Sequence, residues 1–178
     1  MGNKKSLLPK ILIPVAIVIV IGAMWIIKMQ INKPEPQTAA VIDGADFSLS
    51  VASVNYDTLF EYKVPVIVDY GSDSCIPCQQ MAPVLETLNK EMEGKAFIKF
   101  IDVWKYSDNV KDVPVQVIPT QILFNADGMP FVPSDDLALE IEFTMYNDNE
   151  TNEHIFTTHQ GGITEEQMRK ILKEMGVE

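Results

Sequence analysis

Hydrophobic and polar positions follow two different periods along this chain, and together they predict an α/β arrangement. Residues 65–70 form a near-continuous apolar run, which is typical of a central strand covered on both faces. Apolar side chains then recur at helical spacing from residue 76 to about residue 93, and Gly94 is suited to end that helix. The pattern therefore predicts a buried strand that runs through a short loop into an amphipathic helix.

Shorter patterns on both sides predict the remaining elements. Alternation of apolar and polar residues indicates strands, and Asn, Ser or Thr before an apolar stripe indicates the start of a helix. Thr164 and Gln167 have the spacing of a capping box at the start of the last helix. The expected strands are residues 47–51, 97–103, 120–125, 140–146 and 154–158, and the expected helices are residues 55–62, a short helix capped at 134–136, and residues 164–175.

The amino-terminal part of the chain differs in character. Residues 11–27 carry no charge and predict a transmembrane signal anchor near the lower length limit. A cleaved signal peptide is the alternative, but no small-residue cleavage site follows closely. Residues 28–45 contain two prolines and predict a linker. More lysines precede the span than follow it, so the positive-inside rule places residues 1–10 in the cytoplasm and residues 46–178 on the extracytoplasmic side of the cell membrane.

Charge is distributed unevenly over the chain. The 178 residues include 25 acidic and 14 basic side chains, for a formal net charge of −11. Residues 1–33 contain five lysines and no acid, so the remainder is strongly acidic. An acidic surface disfavours nucleic acid as a partner.

Cys75 and Cys78 are the only cysteines, and they stand at the start of the predicted helix. Two thiols on one helical turn lie close enough to form a disulfide, and the helix N-terminus favours a thiolate. A zinc site needs about four ligands, whereas His154 and His159 lie far along the chain. A structural bridge over so short a loop would add little stability. The pair is therefore predicted to be redox-active, with no metal and no cofactor.

Further residues stand at characteristic positions around the pair. They are Asp69 on the strand before it, Pro77 between the cysteines, Pro83 in the helix, the turn Ile118-Pro119-Thr120, and Gly161-Gly162 before the last helix. With the two cysteines, these positions resemble the thioredoxin family over residues 46–178. Ser74 and Ile76 depart from the Trp and Gly that thioredoxins usually carry beside the first cysteine. The resemblance implies a thioredoxin-like fold, a central mixed sheet flanked by helices, with a buried acid at Asp69, a cis-proline turn at Pro119 and a hairpin inserted at about residues 130–158.

The resemblance also implies roles for individual residues. Cys75 would be the exposed nucleophile, and Cys78 would be the resolving thiol beneath it. Asp69 would relay the proton of Cys78, and Lys99 lies near the position of a lysine that pairs with this acid in the family. Pro119, if its peptide bond is cis, would expose backbone beside Cys75 to a substrate strand, with Pro77 and Ile118 in supporting positions.

The predicted function is therefore a membrane-anchored thiol–disulfide oxidoreductase whose substrates are extracytoplasmic protein disulfides. Ile76 brings no charge between the cysteines, so we expect a reductase rather than a strong oxidant. The resemblance implies a membrane protein as electron donor. The alternative is a thioredoxin-like binding or assembly module, a holdase, in which the cysteines are incidental. Trp104 and Tyr106 either form a binding rim or cap the core.

Overall fold

The computed structural model describes residues 45–177, and every element below belongs to this part of the chain. The strands form one mixed sheet with the spatial order β2-β1-β3-β5-β4. The first strand pairs in parallel with the second and antiparallel with the third, which places it inside the sheet. The strands are β1 (Val66–Gly71), β2 (Phe97–Asp102), β3 (Thr120–Phe124), β4 (Thr144–Asn147) and β5 (His154–Gln160).

Helices cover both faces of this sheet. Asn55 caps the first helix by accepting a hydrogen bond from the Thr58 N–H at 3.1 Å. Thr164 and Gln167 form the predicted capping box of the last helix. The helices are α1 (Tyr56–Phe60), α2 (Ile76–Glu91), α3 (Asp135–Glu140) and α4 (Glu165–Glu174), with a 3-10 turn at Ser107–Val110.

Alternation along β1 divides the core between the two faces. Ile67 packs with side chains of α2 and α4, whereas Val68 packs on the opposite face with side chains of α1. Every residue of β1 is buried, as the apolar run predicts. The end of β1 is therefore screened from water on both sides, and the next residues lead directly to the two cysteines.

The expectation of a strand at residues 47–51 is wrong. This segment is extended, but it makes only an isolated bridge, between Ser50 and Phe100 on the free edge of β2. The Asn89 side chain explains the short pairing, because its amide donates to the Phe47 carbonyl at 2.8 Å and to the Ile98 carbonyl at 2.9 Å. These carbonyls are thereby used by a side chain, and the ladder does not continue.

The predicted hairpin of residues 140–158 is present, although its first strand starts later than expected. Ser134 caps α3 by accepting from the Leu137 N–H at 3.2 Å, and the helix runs on to Glu140. Strand β4 therefore begins at Thr144 instead of residue 140. It forms the edge of the sheet beside β5, which in turn pairs with β3.

Among residues 45–177, none of the helices is long and apolar enough to cross a membrane. The predicted signal anchor at residues 11–27 and nearly all of the predicted linker lie outside the described residues.

Candidate active site

Cys75 and Cys78 form a disulfide at the start of α2, with their Cα atoms 5.2 Å apart. Cys75 is the N-cap residue, and its Sγ accepts a hydrogen bond from the Cys78 N–H at 3.3 Å. Pro77 follows in the first turn, where its missing N–H leaves no helical bond unmade. The helix N-terminus is therefore directed at the sulfur of Cys75, where its dipole favours negative charge.

Cys75 is less accessible than the sequence suggests. Only 9% of its surface is exposed, compared with 5% for Cys78. The Cys75 sulfur is bonded to Cys78 in the first helical turn, while the next residue, Ile76, has 69% of its surface exposed. Cys75 is therefore the more exposed of the two cysteines, as expected, but the difference in exposed fraction is small.

The turn that contains Pro119 lies against the disulfide. The Ile118–Pro119 peptide bond is cis, as the resemblance implies. The Ile118 carbonyl oxygen lies 3.8 Å from Cys75 Sγ. A disulfide sulfur carries no proton, so this contact can become a hydrogen bond only when Cys75 is a thiol. The turn is fixed on its other side by a 2.8 Å bond from the Gly161 N–H to the Pro119 carbonyl.

Asp69 is an almost fully buried acid on β1, with 1% of its surface exposed. Its Oδ1 accepts a hydrogen bond from Gln121 Nε2 at 2.6 Å, and its Oδ2 has no hydrogen-bond partner among the described residues. Burial raises the pKa of the Asp69 carboxyl to about 7, although the Gln121 hydrogen bond acts in the opposite direction. The group can therefore exchange a proton near neutral pH.

Gly71 brings the acid and the inner sulfur to the same place. A Cβ atom added to Gly71 would lie 3.2 Å from Cys78 Sγ and 3.3 Å from Asp69 Oδ2. The same position would be 3.0 Å from the Phe100 ring. The unpartnered oxygen of Asp69 and the sulfur of Cys78 thus border the same position, which is open because residue 71 has no side chain.

The expected pairing of Lys99 with Asp69 is wrong. In the parallel register of β1 and β2, Lys99 is opposite Val68, while Phe100 is opposite Asp69. Because side chains alternate along a strand, Lys99 projects to the other face of the sheet. Its ammonium donates to the carbonyl oxygens of Asp46 at 2.5 Å and Ser48 at 2.7 Å, so it holds the segment that precedes α1.

Sequence reasoning missed two residues that shape the site, Gln121 and Asp102. Gln121 lies in the strand predicted at residues 120–125, and its side chain is fully buried. A buried amide requires a hydrogen-bond partner, and that requirement was the signal in the sequence. The Asp102 carboxylate accepts hydrogen bonds from the backbone N–H groups of Asp73, Trp104 and Lys105 at 3.0–3.1 Å. Asp102 thereby ties the loop before Cys75 to the loop after β2. Its position at the end of a strand beside β1 was the signal in the sequence that could have indicated a role at the site.

An apolar groove of about 290 Å³ lies beside the cis-proline turn. Trp104 stands at this groove with 63% of its surface exposed, and Tyr106 nearby in sequence is 39% exposed, so neither residue is a buried cap on the core. Val117, which also lines the groove, is 50% exposed. The groove is lined by Val103, Trp104, Val110, Val115, Gln116, Val117 and Ile118.

Comparison with known proteins gives consistent matches. The sequence model of the family Thioredoxin matches residues 47–135. Thioredoxins of Staphylococcus aureus strains MW2 and N315 are each 36% identical to this chain over 96 residues, which is 51% of this chain and 90% of the relative.

Solved structures of thioredoxins are also similar. Chloroplastic thioredoxin z has a TM-score of 0.48 and 19% identity, over 74% of this chain and 96% of that one. A mutant thioredoxin from Halobacterium salinarum NRC-1 has a TM-score of 0.49 and 23% identity, over 72% of this chain and 89% of that one.

A Cys-x-x-Cys disulfide at a helix start, in a chain with these relatives, defines the class of protein as a thiol–disulfide oxidoreductase. The family match covers half of the chain, and the curated relatives are matched over nearly their whole length. The chain belongs to the thioredoxin family.

The raised pKa of Asp69 predicts how stability depends on pH. Between about pH 4 and pH 7 the folded state holds a proton that the unfolded state has lost, so the unfolding free energy should fall as pH rises, by up to about 1.4 kcal/mol per pH unit. Asp69→Asn removes this charge and should flatten that part of the curve. Above pH 7 the oxidised variant should be the more stable protein. Urea unfolding of both oxidised proteins from pH 4 to pH 8 measures this.

The matched control is Asp112→Asn, which removes an exposed carboxyl group from a loop. It should leave the pH dependence of the parent protein in place. Parallel curves for Asp69→Asn and the parent protein would show that burial does not hold a proton on Asp69.

Proposed function

We propose that this protein reduces extracytoplasmic protein disulfides, with Cys75 as nucleophile and Cys78 as resolving thiol. The observation that carries the proposal is the position of the pair, since the helix start, the cis-proline turn and a buried acid all lie around these two sulfur atoms. Each of these neighbours has a distinct chemical use. The helix start favours the Cys75 thiolate, the turn exposes backbone to a substrate, and the acid exchanges a proton with Cys78.

The reductive reaction balances in two exchanges. The Cys75 thiolate attacks a substrate disulfide, forms a bond to one substrate sulfur, and releases the other as a thiolate. Cys78, after losing its proton, attacks Cys75 Sγ and breaks the mixed disulfide, which releases the second substrate sulfur. Two electrons pass from the Cys75–Cys78 dithiol to the substrate, and the leaving thiolates take up protons.

Asp69 is the acceptor for the Cys78 proton. Cys78 is buried, so water has poor access to its thiol, whereas Asp69 Oδ2 lies on the same side of Gly71 as the Cys78 sulfur. A carboxyl group whose pKa is about 7 takes and returns a proton near neutral pH with little driving force in either direction. The proton then leaves with the second substrate thiolate.

The proposed direction of electron flow follows from the residues between the cysteines. Ile76 and Pro77 add no positive charge that would further stabilise the Cys75 thiolate and so favour the reduced protein. A reduction potential near −270 mV, which is about that of thioredoxin, would agree with a reductase. A potential near −120 mV, about that of a strong oxidant, would contradict the proposed direction.

Substitution of the cysteines tests the redox activity. In insulin reduction coupled to dithiothreitol, Cys75→Ser should reduce the rate to the background, because no nucleophile remains. When reduced Cys78→Ser is freed of dithiothreitol and mixed with insulin, it should instead accumulate a mixed disulfide with the substrate, visible on a non-reducing gel, because no thiol is present to resolve it. The double variant is the control and should form no adduct. Full activity of Cys75→Ser in the cell would favour a binding or assembly module.

The apolar groove beside Ile118 is proposed to bind the substrate residues next to the attacked disulfide. Trp104→Ala removes its exposed aromatic side chain and should raise KM for a disulfide peptide about 10-fold with little change in kcat. The matched control is Leu139→Ala on α3, which removes a side chain that is 87% exposed. Equal effects of the two variants, or an effect of Trp104→Ala on kcat alone, would contradict a role in binding.

The proposed location is the outer face of the cell membrane, with an uncleaved anchor at residues 11–27. The support is the uncharged run and the excess of lysine before it. A carboxyl-terminal tag should be digested by protease in intact spheroplasts, and an amino-terminal tag should stay protected and attached to the membrane fraction. A carboxyl-terminal tag that resists protease until lysis would contradict this orientation. Loss of the amino-terminal tag from the mature protein would indicate a cleaved signal peptide.

A further inference from the structure

A row of polar side chains, two of them buried and the third partly buried, crosses three neighbouring strands of the sheet. Asp69 on β1 is paired in register with Gln121 on β3, and Gln121 is paired with His159 on β5. Cross-strand partners project to the same face, so the three side chains are successive neighbours. In the described part of the chain, the buried side-chain nitrogen and oxygen atoms without a hydrogen-bond partner are Asp69 Oδ2, Gln121 Oε1 and His159 Nε2.

The two oxygens of Asp69 have different surroundings. Oδ1 is bonded to Gln121, and Oδ2 faces the position beside Gly71 that Cys78 Sγ also borders. A carboxyl group can rotate about its last bond, and a partial rotation would turn the unbonded oxygen away from this position. The 2.6 Å bond from Gln121 fixes the rotation, and it leaves the unbonded oxygen on the side of the sulfur.

Gln121 is itself held in place. None of its surface is exposed, and its Nε2 also lies 3.4 Å from the Gly161 carbonyl oxygen and 3.6 Å from Met81 Sδ. Its neighbours therefore come from the strand of the acid, from α2 and from the turn before α4. The amide of Gln121 can both donate and accept hydrogen bonds, whereas a lysine side chain at this position could only donate.

We propose that Gln121 is the positioning residue for Asp69, which holds Oδ1 so that Oδ2 faces the proton of Cys78. The amide donates to the carboxylate while Asp69 is ionised. When Asp69 carries the proton, the same amide N–H donates to the carbonyl oxygen of the neutral carboxyl group, in a weaker hydrogen bond. The buried acid thus keeps a partner in both protonation states. This inference rests on the proposed role of Asp69 as proton acceptor.

Among the described residues, neighbours of Asp69 come from three elements. Cys78 on α2 borders the same position beside Gly71, Phe100 on β2 and Gln121 on β3 are the register partners of Asp69, and His159 lies one strand further away in register with Gln121. The His159 Nδ1 lies 2.8 Å from the Glu142 carbonyl, which can only accept, so this nitrogen carries the proton.

The test compares Gln121→Met with Gln160→Met in the full-length chain. Methionine has nearly the shape of glutamine but cannot donate to a carboxylate, and Gln160 is an exposed residue on β5. The carbon-13 shift of the Asp69 carboxyl group, followed over pH in the oxidised protein, should give a midpoint raised by about 1 to 2 pH units in Gln121→Met. Gln160→Met should leave the midpoint unchanged.

The second readout is the pH profile of a single turnover with a disulfide peptide. Its inflection should move upward with the carboxyl midpoint in Gln121→Met, whereas a merely structural loss would lower the rate equally at every pH. Gln121→Asn, whose amide is one methylene too short to reach, should behave like Gln121→Met and provides a second variant if the first fails to fold. An unchanged midpoint in the folded variants would overturn the proposal.

Asp69→Asn separates this inference from the proposed function. If the single-turnover profile of Asp69→Asn keeps the inflection of the parent protein, Asp69 is not the proton acceptor, and the proposal for Gln121 in turnover falls with it. If the inflection is lost in Asp69→Asn but the carboxyl midpoint is the same with and without Gln121, the relay stands and the positioning role alone is wrong.

Discussion

The burial of the Asp69 carboxyl group in the core is the constraint that links this fold to its chemistry. Burial raises the pKa of this carboxyl group to about 7, so it still binds a proton at a pH where an exposed carboxyl group would have lost it. These surroundings require a strand that is covered on both faces and flanked on both edges, which is the position of β1. The central place of β1 in the sheet is therefore as much a part of the site as the cysteines are.

The sulfur atoms need a second constraint, since the loop that carries them must be fixed on the surface of this core. The buried Asp102 carboxylate fixes this loop, because it accepts hydrogen bonds from three backbone N–H groups in two neighbouring loops. Hydrogen bonds to a charged acceptor are the stronger kind, and here they join the loop before Cys75 to the loop that carries Trp104. Ser74 leaves the first of these loops without an aromatic side chain, and Trp104 places one on the second.

Local sequence was sufficient for the strand, loop and helix around the two cysteines and for the helix caps. The apolar run before Gly71, the helical stripe after Cys78 and the capping residues Asn55 and Thr164 each act within a few residues of themselves. The order of strand, loop, cysteines and helix was therefore predictable. The spacing of the two cysteines was equally local, because one helical turn sets the distance between them.

The partner of the buried acid could not be found in this way. A shift of one residue in the register of β2 moves Lys99 from one face of the sheet to the other, and no local pattern determines that register. For the same reason, Gln121 could not be predicted as the partner of Asp69. The two residues meet only because β3 runs antiparallel beside β1 with Gln121 opposite Asp69. Sequence alone determined that Cys75 and Cys78 lie one helical turn apart at the start of a helix. The pairing of distant strands decided that the side chain facing Asp69 is Gln121.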